Sequence, residues 1–412
     1  MSIYQLRHHH PNSSQGQMSP AGNAIISKQF SHSDSAMPRE ALRDWFPWAL
    51  AVLVFISRVL VTQWVPYWAD GPAHIAAIRS RHYVSGPPGY WLFNRLAGFF
   101  RDPQTAIQVI NWSCSAVGCV AIYLCARVFV DKLTARLAAV VYGSVYFTWF
   151  AAAVQSTYAT EMLFPPLLFL CLVCHYRTKE FLWLLGAGLS YALAAGFRPS
   201  DGLFIAIMAL SYVVFEVRVR QIAVVITTTA GLCLVWFIPT FCGLHEKAAL
   251  NPVTLVVSPL FNGLNYRTVA NMVRFFLPLV TAFWLLVPAL ARTVRYLRER
   301  EIQLLWLWVL PGSLFLILIY MSNSQYMTFL TGALVLLSAI GCGRSHSRLV
   351  SRRVLAVVAV WNICLFLLFT PLHSKSFAAK VVNVYVGQDT LHGLRHRLFQ
   401  NLSDIADRSK PF

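Results

Sequence analysis

The sequence predicts an all-α polytopic membrane protein, with about eleven transmembrane helices and interfacial helices in the first non-cytoplasmic loop. Three observations carry the prediction. The 412 residues are 57% hydrophobic and only 12% charged, a composition that a water-soluble domain cannot hide in its interior. The apolar residues fall in runs long enough to cross a bilayer, separated by short segments that hold the Lys and Arg. The net charge of +18 is dispersed between these runs instead of gathering in one aromatic-interleaved patch, which argues against nucleic acid as a partner.

Residues 1–43 are rich in His, Ser, Gln and Pro and have no apolar core, so they read as a disordered cytoplasmic segment and not as a signal peptide. A membrane domain over 44–372 follows. Its spans are expected near 45–65, 104–126, 136–154, 159–176, 181–197, 200–216, 221–243, 270–291, 302–321, 325–342 and 354–372. Residues 373–412 remain as a C-terminal tail. More than half of the 34 Lys and Arg residues lie in connections on the side of the N-terminus, among them Arg127, Lys132, Arg136, Arg292, Arg344 and Arg352. Cytoplasmic loops retain positive charge during insertion, so this bias predicts a cytoplasmic N-terminus and a non-cytoplasmic C-terminus, in an inner or plasma membrane.

Two outer connections are long, 66–103 and 244–269. In the first, Ala73 to Tyr83 is expected as a short surface helix. After the Gly86-Pro87-Pro88-Gly89 corner, Tyr90 to Phe100 is expected as a second, with its aromatics at headgroup depth. In the second connection, the nearly uncharged stretch Ala248 to Leu260 is either an interfacial lid or a plain surface loop. The nine cysteines lie almost entirely inside expected spans and pack as small apolar residues; Cys171 and Cys174 lack a second ligand pair, so no metal site is expected. Gly-rich phosphate loops and a Gly-x-Ser-x-Gly elbow are absent, which removes the usual supports of ATP-driven transport and serine hydrolysis.

An ionisable residue at a membrane boundary is costly to desolvate and needs a partner or a purpose. Asp70 follows the first span closely. It either caps the next short helix, with Pro72 in the first turn, or serves as a carboxylate base, and the two roles are compatible. His74, one helical turn later, is placed to steady Asp70 or to bind phosphate. Gln155 to Glu161, including Tyr158, forms a polar cluster between two spans, where Glu161 is either a helix-N-terminal acid favoured by the macrodipole or a substrate ligand. Arg198 joins two short spans and suits a phosphate or diphosphate, or a local pair with Asp201. Arg58, inside the first span, snorkels outward, pairs with a carboxylate in the bundle or marks a headgroup path; the sequence leaves all three open.

The chain resembles the GT-C superfamily of integral-membrane glycosyltransferases, in particular the protein-O-mannosyltransferase-like group that uses polyprenyl-phosphate sugars. The resemblance lies in Trp68-Ala69-Asp70-Gly71-Pro72-Ala73-His74, in Ser85 to Phe93 with its Pro-Pro-Gly-Tyr run, in Ala152 to Phe164, and in Gly196-Phe197-Arg198-Pro199-Ser200. It implies a GT-C-like fold and transfer of a sugar from a polyprenyl-phosphate-linked donor to a hydroxyl of a glycan, lipid or protein acceptor at the non-cytoplasmic face. It also implies Asp70 as general base with inversion at the sugar, and His74, Tyr158, Glu161 and Arg198 as substrate- and phosphate-binding residues. Gly71 stands where many relatives carry a second acidic residue, and Gly86 where a His precedes the Pro-Pro pair. A divalent cation finds no supporting ligand set in the sequence. The competing expectation is a non-enzymatic transporter or flippase of a lipid-linked or anionic substrate, which calls for midplane polar residues on broken helices and symmetry between halves.

Overall fold

The computed structural model describes residues 38–62, 70–84, 90–245, 266–319, 324–345 and 347–369, with no strand among them. A short helix α1 (Pro38–Ala41) leads into α2 (Phe46–Leu60), followed by the small helices α3 (Asp70–Arg79) and α4 (Trp91–Ala97). Then come α5 (Pro103–Phe129), α6 (Lys132–Ser144), α7 (Tyr146–Ala153) and a 3-10 turn, Tyr158–Met162, that enters α8 (Phe164–Thr178). The remaining helices are α9 (Phe181–Phe197), α10 (Pro199–Glu216), α11 (Val219–His245), α12 (Tyr266–Phe283), α13 (Val287–Thr293), α14 (Arg300–Leu318), α15 (Thr328–Gly343) and α16 (Arg348–Phe369).

The helix starts follow from the sequence. Proline occupies the first turn of α2, α5, α8 and α10, where its missing N–H costs no hydrogen bond. Asp102 caps α5 by accepting from the Thr105 N–H at 2.9 Å, and Asp131 caps α6 by accepting from Leu133 and Thr134 at 3.0 and 3.2 Å.

Eight helical stretches among the described residues are long and apolar enough to cross a membrane, among them Pro103–Phe129, Tyr158–Thr178, Val219–Cys242 and Gln325–Gly343. The chain is thus an all-helical, multi-pass membrane protein. The difference from the expected eleven lies in three places. Helices α2 and α9 are apolar but shorter, and the expected span 136–154 is divided into α6 and α7 at Val145, whose φ of −52° and ψ of 120° leave the helical region. Helices α5, α8 and α15 form the buried centre, whereas α11 exposes Val224, Leu234 and Phe241, as a helix flanked by lipid can.

The two ends of the bundle differ. At one end, helix termini are tied by partly exposed ion pairs: Arg352 to Asp131 at 2.9 Å, Arg300 to Glu216 at 3.2 Å and Arg177 to Glu301 at 3.6 Å. There Asp44 meets Arg136 at 2.8 Å and accepts from the Tyr123 hydroxyl at 2.6 Å. Burial opposes ionisation of Asp44, but the hydrogen bonds from Arg136 and Tyr123 prevail and hold its carboxyl well below the usual range.

The opposite end carries α3, α4 and the Tyr158–Met162 turn. Helix α3 starts earlier than expected, at Asp70, and stops at Arg79 because Arg81 and Tyr83 take left-handed φ values of 59° and 57° that reverse the chain toward α4. Phe93 of α4 is fully buried in the protein, whereas Phe99 and Phe100 just beyond the helix are exposed. Residues 1–37, the Gly86-Pro87-Pro88-Gly89 corner, the stretch Ala248 to Leu260 and the tail 373–412 lie outside the described residues.

Candidate functional site

Arg198 ends α9 in an extended conformation, φ −148° and ψ 98°, because Pro199 disfavours helical geometry in the residue before it. Its side chain turns into the protein. Nη1 lies 3.0 Å from Glu161 Oε1, and Nε lies 3.3 Å from Asp201 Oδ1 while donating to Ser200 Oγ at 3.1 Å. The guanidinium carbon sits 3.8 Å from the centre of the Tyr158 ring and 5.3 Å from that of Tyr326, and the two rings meet edge to face at 5.0 Å. Arg198, Glu161 and Asp201 are 2%, 1% and 0% exposed, so one guanidinium and two carboxyl groups share a water-poor pocket. Such a cluster persists only because the partners hold one another. Nη1, although close to Glu161, makes no well-aligned hydrogen bond, and Glu161 Oε2 and Asp201 Oδ2 are likewise buried without a hydrogen-bond partner among the described residues.

Glu161 reaches this place through the fold of its own loop. Asn111 of α5 donates to the backbone oxygens of Val154 and Ser156 at 3.1 and 2.8 Å, and the Tyr142 hydroxyl donates to Met162 O at 2.8 Å. Gly118 lets the turn lie directly on α5: a Cβ there would stand 2.2 Å from Met162 O. The polar run expected from the sequence is thus a backbone-anchored turn whose Tyr158 and Glu161 both touch Arg198.

Helices α3 and α4 cover the same end. His74 Nδ1 pairs with Asn94 Oδ1 at 2.9 Å, Asn94 Nδ2 donates to Tyr83 O at 2.9 Å, and the imidazole packs edge-on against Tyr90 and Phe93. Phe93 in turn contacts Phe197, and a Cβ on Gly196 would collide with Leu92 and Trp236, so α4 rests on the last turn of α9 next to Arg198. Burial pushes the His74 pKa down to about 4; the bond to Asn94 opposes this and the charge of Arg198 adds to it. The ring is therefore neutral near pH 7 and fastens α3 to α4. Asp70 opens α3 one turn before His74, and its side chain lies outside what the structure describes.

The structure brings Tyr158, Glu161 and Arg198 together and places His74 in the covering layer. Of the two readings of Arg198, the local pair with Asp201 forms, and Glu161 joins it. Sequence reasoning missed Tyr326, Asn94 and Trp236. The polar interruption Ser324-Gln325-Tyr326 between two apolar runs was the available signal for the first, and Asn94 within an aromatic helix for the second. Arg58 does not snorkel outward: it is buried in the bundle, and among the described residues no carboxylate pairs with it. Among the described residues no three His, Cys, Asp or Glu side chains gather as a metal site.

Residues 85–242 match the sequence model of the dolichyl-phosphate-mannose-protein mannosyltransferase family. No curated protein matches by sequence. Among solved structures, ArnT from Cupriavidus metallidurans bound to undecaprenyl phosphate aligns with a TM-score of 0.51 at 13% identity, covering 73% of this chain and 60% of that one. The apo form of the same protein aligns with a TM-score of 0.51 at 12% identity, covering 80% and 61%. The archaeal oligosaccharyltransferase AglB from Archaeoglobus fulgidus, in complex with an inhibitory peptide and a dolichol-phosphate, aligns with a TM-score of 0.49 at 11% identity, covering 78% and 55%. The chain thus spans about three fifths of the ArnT length.

Proposed function

We propose that this protein, which has the fold of the GT-C membrane glycosyltransferases and carries a mannosyltransferase-family segment over residues 85–242, transfers a sugar from a polyprenyl-phosphate donor to an acceptor hydroxyl. The observation that carries the reading is the Glu161–Arg198–Asp201 cluster inside that segment, directly beside the α3–α4 cover. Charge bias assigns this end to the non-cytoplasmic side.

In this mechanism the donor enters laterally from lipid and its phosphate meets the guanidinium of Arg198. Glu161 and Asp201 fix the guanidinium plane, so the donor pays little to orient it. Asp70 accepts the proton of the acceptor hydroxyl as that oxygen bonds to the anomeric carbon. The bond from that carbon to the phosphate oxygen breaks, the polyprenyl phosphate leaves with the electron pair, and the sugar inverts. A single carboxylate suffices because phosphate departs without a proton, unlike the leaving group of glycoside hydrolysis. His74, neutral and bonded to Asn94, orients α3 and hence Asp70.

The test supplies radiolabelled polyprenyl-phosphate-mannose and membrane acceptors to the full chain in proteoliposomes. Asp70→Asn is expected to lower transfer by about 10²–10⁴-fold, the range of general-base catalysis, without loss of folded protein. Undiminished turnover would remove Asp70 from the mechanism. A second reading, movement of a lipid-linked substrate without chemistry, is favoured by the mid-bundle helix break at Val145. Transbilayer movement of the same donor with no sugar transfer would select it.

A further inference from the structure

Breaking a helix inside a membrane strands backbone groups, because the last carbonyls of one piece and the first N–H groups of the next lose their partners. The α6–α7 break follows Gly143-Ser144, a pair that weakens helical continuity. Two polar side chains from distant passes meet it. Arg58 of α2 donates through Nη2 to Gly143 O, through Nε to Ser115 Oγ at 3.3 Å and through Nη1 to Ser57 Oγ at 3.2 Å. Asn362 of α16 accepts from the Tyr146 N–H at 3.3 Å and donates to Ala282 O at 3.0 Å. Arg58 is 1% exposed and Asn362 fully buried.

The aromatic contacts repeat this connection. The Arg58 guanidinium lies 4.5 Å from the centre of the Trp149 ring in α7, and Trp149 stacks on Phe366 of α16 at 4.2 Å with 2° between planes. Helix α2 and helix α16, the first and last long helices described, therefore grip α7 from both sides. The cation also faces the C-terminal end of α6, where the helix dipole is negative, which gives it a counter-charge in place of a carboxylate.

From this geometry we infer that Arg58 and Asn362 are positioning residues: together they brace the α6–α7 break so that α7 delivers Gln155 to Glu161 to the Arg198 cluster. The loop returns to the break itself, since Tyr142, next to Gly143, holds Met162 O. A shift of Gly143 is thereby transmitted to the backbone one residue past Glu161. The consequence for catalysis rests on the proposed sugar transfer; the brace does not.

The test combines amide hydrogen exchange with transfer kinetics on the full chain in lipid nanodiscs. Arg58→Met and Asn362→Leu are each expected to speed exchange in the 145–161 segment by tenfold or more. Asp102→Ala, which loosens the start of α5, serves as a control and is expected to leave that segment unchanged. Arg58→Lys, which keeps the charge, is expected to restore much of the protection. In melting experiments the double variant is expected to lose less than the sum of the single losses, because the break is released once. Transfer is expected to fall in kcat with the KM for polyprenyl-phosphate-mannose little changed. Exchange in the 145–161 segment no faster than in the control, or full additivity, overturns the brace. Faster exchange with unchanged kcat overturns the positioning role, and a wild-type protein that transfers no sugar overturns the proposed function while exchange still judges the brace.

Discussion

The basic end of the bundle and the α3–α4 end handle charge in opposite ways. At the basic end, Arg177, Arg300 and Arg352 bridge helix termini while keeping contact with water, so each pair gains little and costs little. At the other end, Arg198 and two carboxyl groups are withdrawn from water and wedged against Tyr158. Exposed pairs tie helices together. A buried cluster tolerates no missing partner, which makes it costly to keep for stability alone and well suited to hold a guanidinium ready for an anion.

The largest effect that separates the ends is expected from Arg198→Met. Removing the cation leaves Glu161 and Asp201 buried without their partner and should destabilise the protein by about 3–5 kcal/mol, read as a lowered melting temperature. Binding of undecaprenyl phosphate, measured by native mass spectrometry, should be lost in the same variant. Retained stability and binding would make the two ends alike.

Asp44→Asn addresses the best-paired residue of the basic end. Loss of the charge-assisted bonds from Arg136 and Tyr123 is expected to cost about 1.5–3 kcal/mol. The wild-type contribution is present above the unfolded carboxyl pKa near 3.8 and is lost as pH falls below it, because the folded carboxyl resists protonation. Melting curves from pH 6 to pH 3 should therefore be steeper in the wild type than in Asp44→Asn.

His74 should impose a pH dependence in a different window. An unfolded histidine protonates near 6.5 and the folded one near 4, so the unfolded chain takes up the proton first. Stability from the α3–α4 contact is then full above pH 6.5 and declines as pH falls toward 4. The protection factors of amides in residues 70–84, exchange rates corrected for their intrinsic pH dependence, should fall over this interval in the wild type and not in His74→Gln. The smallest effect is expected from Arg177→Gln, about 0.5 kcal/mol or less, since its ion pair is long and partly exposed. A loss near that of Arg198→Met would erase the contrast between the ends.

Much of this architecture was legible in the residues. Hydropathy marked out most of the spans, and the charged or aromatic residues of Gln155 to Arg198 stood out against an apolar background. The break at Val145 was not legible, because Val is apolar and the run around it has the composition of one continuous span. Tyr326 was hidden for a related reason: its importance comes from meeting Tyr158, a contact between distant parts of the chain.

The sequence by itself determined that the chain lives in a membrane, roughly where its apolar helices lie and which residues are too polar to be idle. These are local properties, set by transfer free energy and by hydrogen bonds within a turn. Only the tertiary structure decided that Glu161, Arg198 and Asp201 form one cluster and that Arg58 serves a backbone carbonyl. Partner choice depends on the packing of helices distant in sequence. In a water-poor interior a charged side chain takes whichever complementary group that packing brings within reach.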